Sequence, residues 1–340
     1  MDATSEGPRS PSEPAAAVKP ARIVCWSPAG TTETEDLAAL GAMLSDPAAR
    51  VWVNLVDPSP EVVRSVASQL QLHPLITEDI AERNQRAKIE TYGDDVMHVV
   101  LFDLEFHGEV QPAEIDLVLG RRFLVSVHGD DCDLAGRVGL RDRDAAGAML
   151  AKGTDFLLYT IADRVVDGYF PVLDRLADEI DDLQDRVLES PSEWTLERLF
   201  VLKRELLAIR RATSPAREVL NQLTNRDLAV IAPENIVYLR DVYDHLIRVT
   251  DELDNYRDLV SGTLEIYLST VNNNLSRIMK RLTGVTVILA GIGAVAGIFG
   301  MSEAALAVAN GEATGFWLIT GLILMAAVIA AVVLRRIDWI

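Results

Sequence analysis

The chain is poor in the residues that most often carry enzyme chemistry. Its 340 residues include two cysteines, Cys25 and Cys132, and five histidines, at 73, 98, 107, 128 and 245, scattered rather than grouped. Two isolated cysteines make no disulfide framework, and no structural zinc site without help from histidine. There is no Walker A loop, no HExxH, no GxSxG and no CxxC, so nucleotide hydrolysis, zinc-dependent proteolysis, serine hydrolysis and dithiol redox chemistry lack their usual residues. The histidines read as surface or structural residues. Positive charge is also scarce: 32 Lys and Arg stand against 51 Asp and Glu, a formal net charge of -19. Such a surface repels nucleic acid and anionic lipid and attracts cations.

Charge is missing altogether from two apolar stretches, residues 283–299 and 316–334, separated by a polar loop that opens Gly300-Met301-Ser302-Glu303. Each is about the length a helix needs to cross a hydrocarbon core of roughly 30 Å, the first short and the second ample. A buried pair in a soluble core would carry a polar stripe, and these carry none. The sequence therefore predicts an integral membrane protein with a helical hairpin at its C-terminal end. Arg277, Lys280 and Arg281 precede the first span, and Arg335 and Arg336 follow the second. The loop between holds the acids Glu303 and Glu312 and no basic residue. The positive-inside rule then places both termini in the cytoplasm and the loop outside, in a multi-pass protein of the plasma membrane.

Before the hairpin the composition changes twice. Residues 1–20 are rich in Pro, Ala, Ser and Glu, without the apolar core of a signal peptide, and read as a disordered tail. Residues 21–150 read as a cytoplasmic α/β domain, with strands at 22–27, 51–56, 95–106 and 115–127, the last with Gly120-Arg121-Arg122 as a turn inside it. Ser59 caps a helix from 60 to about 71. Residues 151–232 read as an acidic helical hairpin, one helix from 154 or 155 to about 188 and one from 195 to 223. Ten acids against three arginines lie between Asp155 and Glu189; they form a solvated face or a reservoir that concentrates cations. From about 233 no proline or capping signal intervenes before Gly300, which predicts one helix over 233–299 running into the membrane, about 100 Å long. The loop then covers 300–315, the second span 316–334, and a basic tail 335–340.

Projected at helical spacing, that long helix presents one stripe: Glu265, Leu268, Asn272, Ser276, Met279, Leu282, Thr286, Ala290, Gly293 and Gly297. It is polar or thinly apolar before the membrane and small within it. Such a face suits a water-filled conduit, and Gly293 with Gly297 also makes a GxxxG packing motif. Residues alone leave both readings open.

Short runs in one order, VWVNLVDP (51–58), HPLITED (73–79), RAKIE (86–90), DFLLY (155–159), YLRDVYDH (238–245), YLST (267–270), IMK (278–280) and AGIFGM (296–301), resemble the CorA-type divalent-cation transporters of the two-transmembrane GxN superfamily. The resemblance covers most of the chain. It implies an α+β cytoplasmic domain followed by long helices and a two-helix transmembrane hairpin, assembled as a funnel-shaped homopentamer. Its first transmembrane helices would line the pore through Asn272, Ser276, Met279, Leu282, Thr286, Ala290, Gly293 and Gly297. Gly300, Met301 and Ser302 would form the outer mouth. There the sequence departs from the family, whose signature ends Gly-Met-Asn. A ring of serines offers shorter, weaker acceptors than a ring of carboxamides. The resemblance further implies that Asp241 bridges through Mg²⁺ to an acid of the neighbouring subunit, Asp103 or Glu105.

Mg²⁺, both transported and regulatory, suits an oxygen-lined path because it dehydrates reluctantly. A dedicated zinc, nickel or cobalt path would recruit His or Cys, and none follows His245. The expectation is gradient-driven influx of Mg²⁺, with Co²⁺ or Ni²⁺ as further cargo, by a non-enzymatic self-assembling membrane protein without an organic cofactor. A zinc transporter of the same superfamily and a non-conducting cation sensor are the alternatives.

Overall fold

In the computed structural model the described residues are 21–83, 86–106, 109–300 and 313–336. In chain order the elements are β1 (Ala21–Ser27), β2 (Gly30–Thr34), α1 (Leu40–Met43), β3 (Arg50–Val56), α2 (Pro60–Leu70), α3 (Pro74–Glu82), β4 (Lys88–Tyr92), β5 (Val96–Phe106), β6 (Val110–Gly120) and β7 (Phe123–His128). Then follow α4 (Leu134–Arg137), α5 (Arg143–Lys152), α6 (Thr154–Asp167), α7 (Tyr169–Glu189), α8 (Glu193–Asn225), α9 (Ile236–Gly300) and α10 (Ala313–Arg336). The chain divides into two units, one of residues up to 181 with 199–260, the other of 182–198 with 261 onward.

The first unit is built on a seven-stranded sheet of order β2-β1-β3-β7-β6-β5-β4, antiparallel except for the β3–β7 pair. Alternation along β3 assigns its faces. Val51, Val53 and Leu55 join Ile23, Val125 and Val127 in a core with Val63, Val66 and Leu70 of α2 and Ile76 and Ile80 of α3. Trp52 and Asn54 point the other way, as period two requires. There Trp52 Nε1 donates to Ser126 Oγ (2.9 Å), which donates to Asn54 Oδ1 (2.6 Å), so this buried polar row satisfies itself. Ser59 caps α2 by accepting from Val62 N, with Pro60 in the first helical turn.

Two sequence expectations need correction. The helix expected over 154–188 is two helices, α6 ending at Asp167 and α7 beginning at Tyr169. Pro171 explains the break. It has no N–H for the Asp167 carbonyl four residues earlier, and its ring crowds that carbonyl, so the helix restarts and takes the proline into its first turn. The run expected over 115–127 has its turn where expected, between β6 and β7, but β6 starts earlier than expected, at Val110.

In the second unit α9 continues as a single helix to Gly300, and it is long and apolar enough to cross a membrane. α10 follows with 24 residues and ends in Arg335 and Arg336. α9 as a whole has 65 residues, about 98 Å at 1.5 Å per residue.

Candidate functional site

The sequence singled out one face of α9, and the structure supplies the context of that face. A groove between α9 and α10 is lined by Val287, Ile288, Gly291, Ile292 and Val295 on one side and by residues such as Ile323, Ala326 and Ala330 on the other. At roughly 100° per residue, these α9 positions point about 160° away from Thr286, Ala290, Gly293 and Gly297. The small residues therefore lie on the side of α9 turned away from α10, and the large β-branched ones face it. Asn272, Ser276, Met279, Leu282, Thr286, Ala290, Gly293 and Gly297 are all exposed along this chain. A Cβ added at Gly293 or Gly297 would meet nothing within 4 Å. Thr286 Oγ1 donates to the Leu282 carbonyl (2.8 Å), the local satisfaction a hydroxyl finds inside a helix. Gly300 ends α9, whereas Met301, Ser302, Glu303 and Glu312 lie outside the described residues.

A second constellation lies in the first unit. Asp163 and Asp167 sit one turn apart on α6, and Asp241 and His245 one turn apart on α9. His245 Nδ1 is 3.4 Å from Asp167 Oδ1 without hydrogen-bond geometry, and its Nε2 is 3.8 Å from Asp241 Oδ2. Oxygens of Asp163 and Asp167 and a ring nitrogen of His245 lie within 4.8 Å of one another, a spacing that small side-chain movements turn into a cation site. Burial, then the charge of Asp167, pushes the Asp163 carboxyl above its ordinary value of 3.8, with Asp241 adding to the rise; Arg164 and His245 pull the other way. Carboxylates held together against their repulsion are what a divalent cation relieves. Aromatic rings wall the cluster: Phe170 meets the His245 ring edge-on at 6.1 Å, and Tyr159 and Tyr238 stack beside it. Sequence reasoning noted Asp241 and the acids of α6 separately and set His245 aside. The i, i+4 pair in YLRDVYDH was the available signal for grouping them.

Asp103 must be corrected as the acid opposite Asp241. Its side chain is fully buried, with Arg137 Nε at 2.7 Å from Oδ2 and the Cys132 thiol donating to the same oxygen at 3.7 Å. That carboxylate is committed inside its own subunit. Glu105, two residues along β5, stands opposite Gln111 in the β5–β6 register. Of the other histidines, His73 caps α3 through Nδ1, while His128 is buried against Asn54 and the Gly129 carbonyl. Burial lowers the His128 pKa despite that carbonyl. His107 lies outside the described residues.

Comparison with known proteins agrees with this architecture. A family model described as CorA-like Mg2+ transporter protein matches residues 48–336. The cobalt/magnesium transport protein CorA of Thermotoga maritima is 36% identical over 261 residues, 76% of this chain and 74% of that protein. The zinc transport protein ZntB of Yersinia pseudotuberculosis is more distant, 20% identical over 85% of this chain and 88% of its own. In fold, the complete structure of the CorA magnesium transporter from Methanocaldococcus jannaschii superposes with a TM-score of 0.79, at 23% identity, over 94% of this chain and 98% of that one.

Proposed function

As the chain belongs to the CorA-like Mg²⁺ transporter family, we propose that it conducts Mg²⁺ into the cytoplasm through a homopentameric pore lined by α9. The observation that carries this reading is the division of α9 into two opposed faces. The face with Ile288, Ile292 and Val295 shares a groove with α10. The opposite face offers hydroxyls, amides and bare backbone, which several copies could bring around an axis close enough to guide a hydrated ion. Magnesium keeps most of its water at such a path, needing oxygens rather than tight coordination. In this arrangement α10 lies outside the ring, both termini are cytoplasmic, and the mouth is formed by Gly300, Met301 and Ser302. An inside-negative potential drives entry by about 2.3 kcal/mol per charge per 100 mV, twice that for a divalent ion.

The cluster of Asp163, Asp167, Asp241 and His245 is proposed as the regulatory site. A bound Mg²⁺ there offsets the charge of three carboxylates on two helices and favours the closed ring; when it leaves, carboxylate repulsion loosens them. Asp241 is mostly exposed, so it can turn toward a neighbouring subunit as well as toward His245.

The test is Mg²⁺ uptake by the purified full chain in liposomes, with Zn²⁺, Co²⁺ and Ni²⁺ as competitors. Uptake that saturates with Mg²⁺, rises with an inside-negative potential and resists Zn²⁺ is expected. Zn²⁺ uptake that Mg²⁺ cannot inhibit would favour the zinc reading. No flux of any ion from a correctly assembled ring would favour a sensor, for which the hydroxyl of Ser302 in place of a carboxamide is the motivating feature.

A further inference from the structure

A hollow of about 580 Å³ lies in the first unit between α8 and the β5–β6 hairpin. Its charge runs against that of the rest of the molecule. In a chain of net charge -19, three arginines line it, Arg86 ahead of β4 and Arg210 and Arg211 on α8, and among the described residues no acid does. Phe102 and Pro112 from the sheet and Leu207 and Pro215 from α8 supply an apolar wall.

The guanidinium groups have donors to spare. Arg86 and Arg211 are exposed and make no hydrogen bond or ion pair with a described residue. Arg210 gives Nη1 to Asp254 Oδ1, an oxygen that Arg257 Nη1 also approaches at 3.6 Å. A pair this exposed holds the side chain weakly, and the remaining N–H groups of Arg210 stay available. A neighbouring hollow that shares Phe102 and Pro112 makes the contrast. There acids, Glu114 and Asp131, accompany the arginine, Arg83. Arg83 is engaged through both terminal nitrogens, Nη1 with Asp57 Oδ1 (3.0 Å) and Nη2 with the His128 carbonyl (2.7 Å). α8 also brings an acceptor to the arginine hollow. Pro215 sits inside the helix and has no N–H for the Arg211 carbonyl four residues earlier, so that oxygen lacks its helical donor.

We propose that this hollow binds a nucleoside polyphosphate, its phosphates on Arg86, Arg210 and Arg211 and its base against Phe102. Planar guanidinium groups take phosphate oxygens bidentately, and an aromatic face is a platform for a base of any identity. The Arg211 carbonyl and the Ser214 hydroxyl are placed to accept from the sugar or the base. The volume falls within the roughly 300–1,000 Å³ of small-molecule pockets. A bound polyanion relieves the mutual repulsion of three cations and ties α8 to the sheet. The proposal depends neither on whether the chain conducts nor on the α6–α9 acid cluster.

The experiment titrates ATP calorimetrically into the purified full chain in detergent, with divalent ions removed by EDTA so that metal–nucleotide complexes do not form. Saturable binding of one ATP per chain, weakening as salt is raised, is expected. Adenosine and inorganic triphosphate, titrated separately, should each bind at least tenfold more weakly, a difference of about 1.4 kcal/mol or more. Arg86→Gln and Arg211→Gln change exposed side chains without disturbing the core, and each should weaken ATP at least tenfold. Phe102→Leu should weaken ATP and leave triphosphate unchanged. No saturable ATP binding, or binding that neither arginine variant alters, would overturn the proposal, as would triphosphate bound as tightly as ATP.

Discussion

In the proposed pore, Ser302 stands at the mouth, where the resemblance implies a carboxamide. A ring of serines reaches less far toward the axis and accepts more weakly than a ring of asparagines. Ser302→Asn should therefore raise Mg²⁺ flux severalfold at low external Mg²⁺ and leave it nearly unchanged at saturation. Radiotracer or fluorescent-indicator uptake in liposomes measures both, and flux unchanged at every concentration would remove residue 302 from the mouth. Other single residues were harder to read. Asp103 looked like a surface acid because VVLFDLEF alternates ambiguously, and only the β5–β6 register and the distant Arg137 make it an interior one. His98 and Asp116 are 18 positions apart, and the hairpin that joins them cannot be heard in a list of scattered histidines.

At the level of elements, the two faces of α9 predict opposite outcomes for the same substitution. Gly293→Leu adds an isobutyl group to the face turned away from α10 and, around a ring, should abolish flux while the oligomer keeps its size in detergent. Gly291→Leu adds the same group toward the groove, where nothing lies within 4 Å of a new Cβ, and should leave most of the flux. Size-exclusion chromatography with uptake decides; normal conduction by Gly293→Leu would mean that glycine does not face the conduit.

The α6–α9 acid cluster makes a pH prediction. The Asp163 pKa is raised in the folded chain, so its contribution to stability is complete below 3.8 and is lost as pH rises through the folded-state value. At neutral pH the metal-free cluster is thus a liability that Mg²⁺ removes. Thermal unfolding should show a clear Mg²⁺-dependent gain at pH 7, about 2.7 kcal/mol at a hundredfold excess over Kd, shrinking as Asp163 is protonated. Asp163→Asn should raise metal-free stability at pH 7 and lose most of that gain. A full Mg²⁺ response in the variant would place the sensor elsewhere.

Long, strongly patterned elements were legible in the sequence: β3, α2, the uninterrupted α9 and the apolar run inside α10 all lie where periodicity and caps put them. Short or composite ones were not. β2 is five residues of Gly, Thr and Glu that form a strand only by pairing with β1. β4 is a charged edge strand, KIETY, defined by its register on β5. α3 begins at His73-Pro74, a boundary visible only once the His73 ring is seen accepting from Leu75 N. For β2 and β4 tertiary pairing overrode weak local propensity, whereas α3 rests on its own local cap.

For the whole molecule, the net charge of -19 and the two uncharged spans belong to one account: on the proposed reading an acidic body draws cations toward a path whose walls carry no charge of their own. The central claim is that the small-residue face of α9 is that path. Substituted cysteines test it most directly, since Cys25 and Cys132 are both buried. Thr286→Cys should make Mg²⁺ flux sensitive to a water-soluble thiol reagent, with external Mg²⁺ slowing the block, whereas Ile288→Cys, on the α10 side, should stay insensitive. Block at 288 without block at 286 would contradict the account.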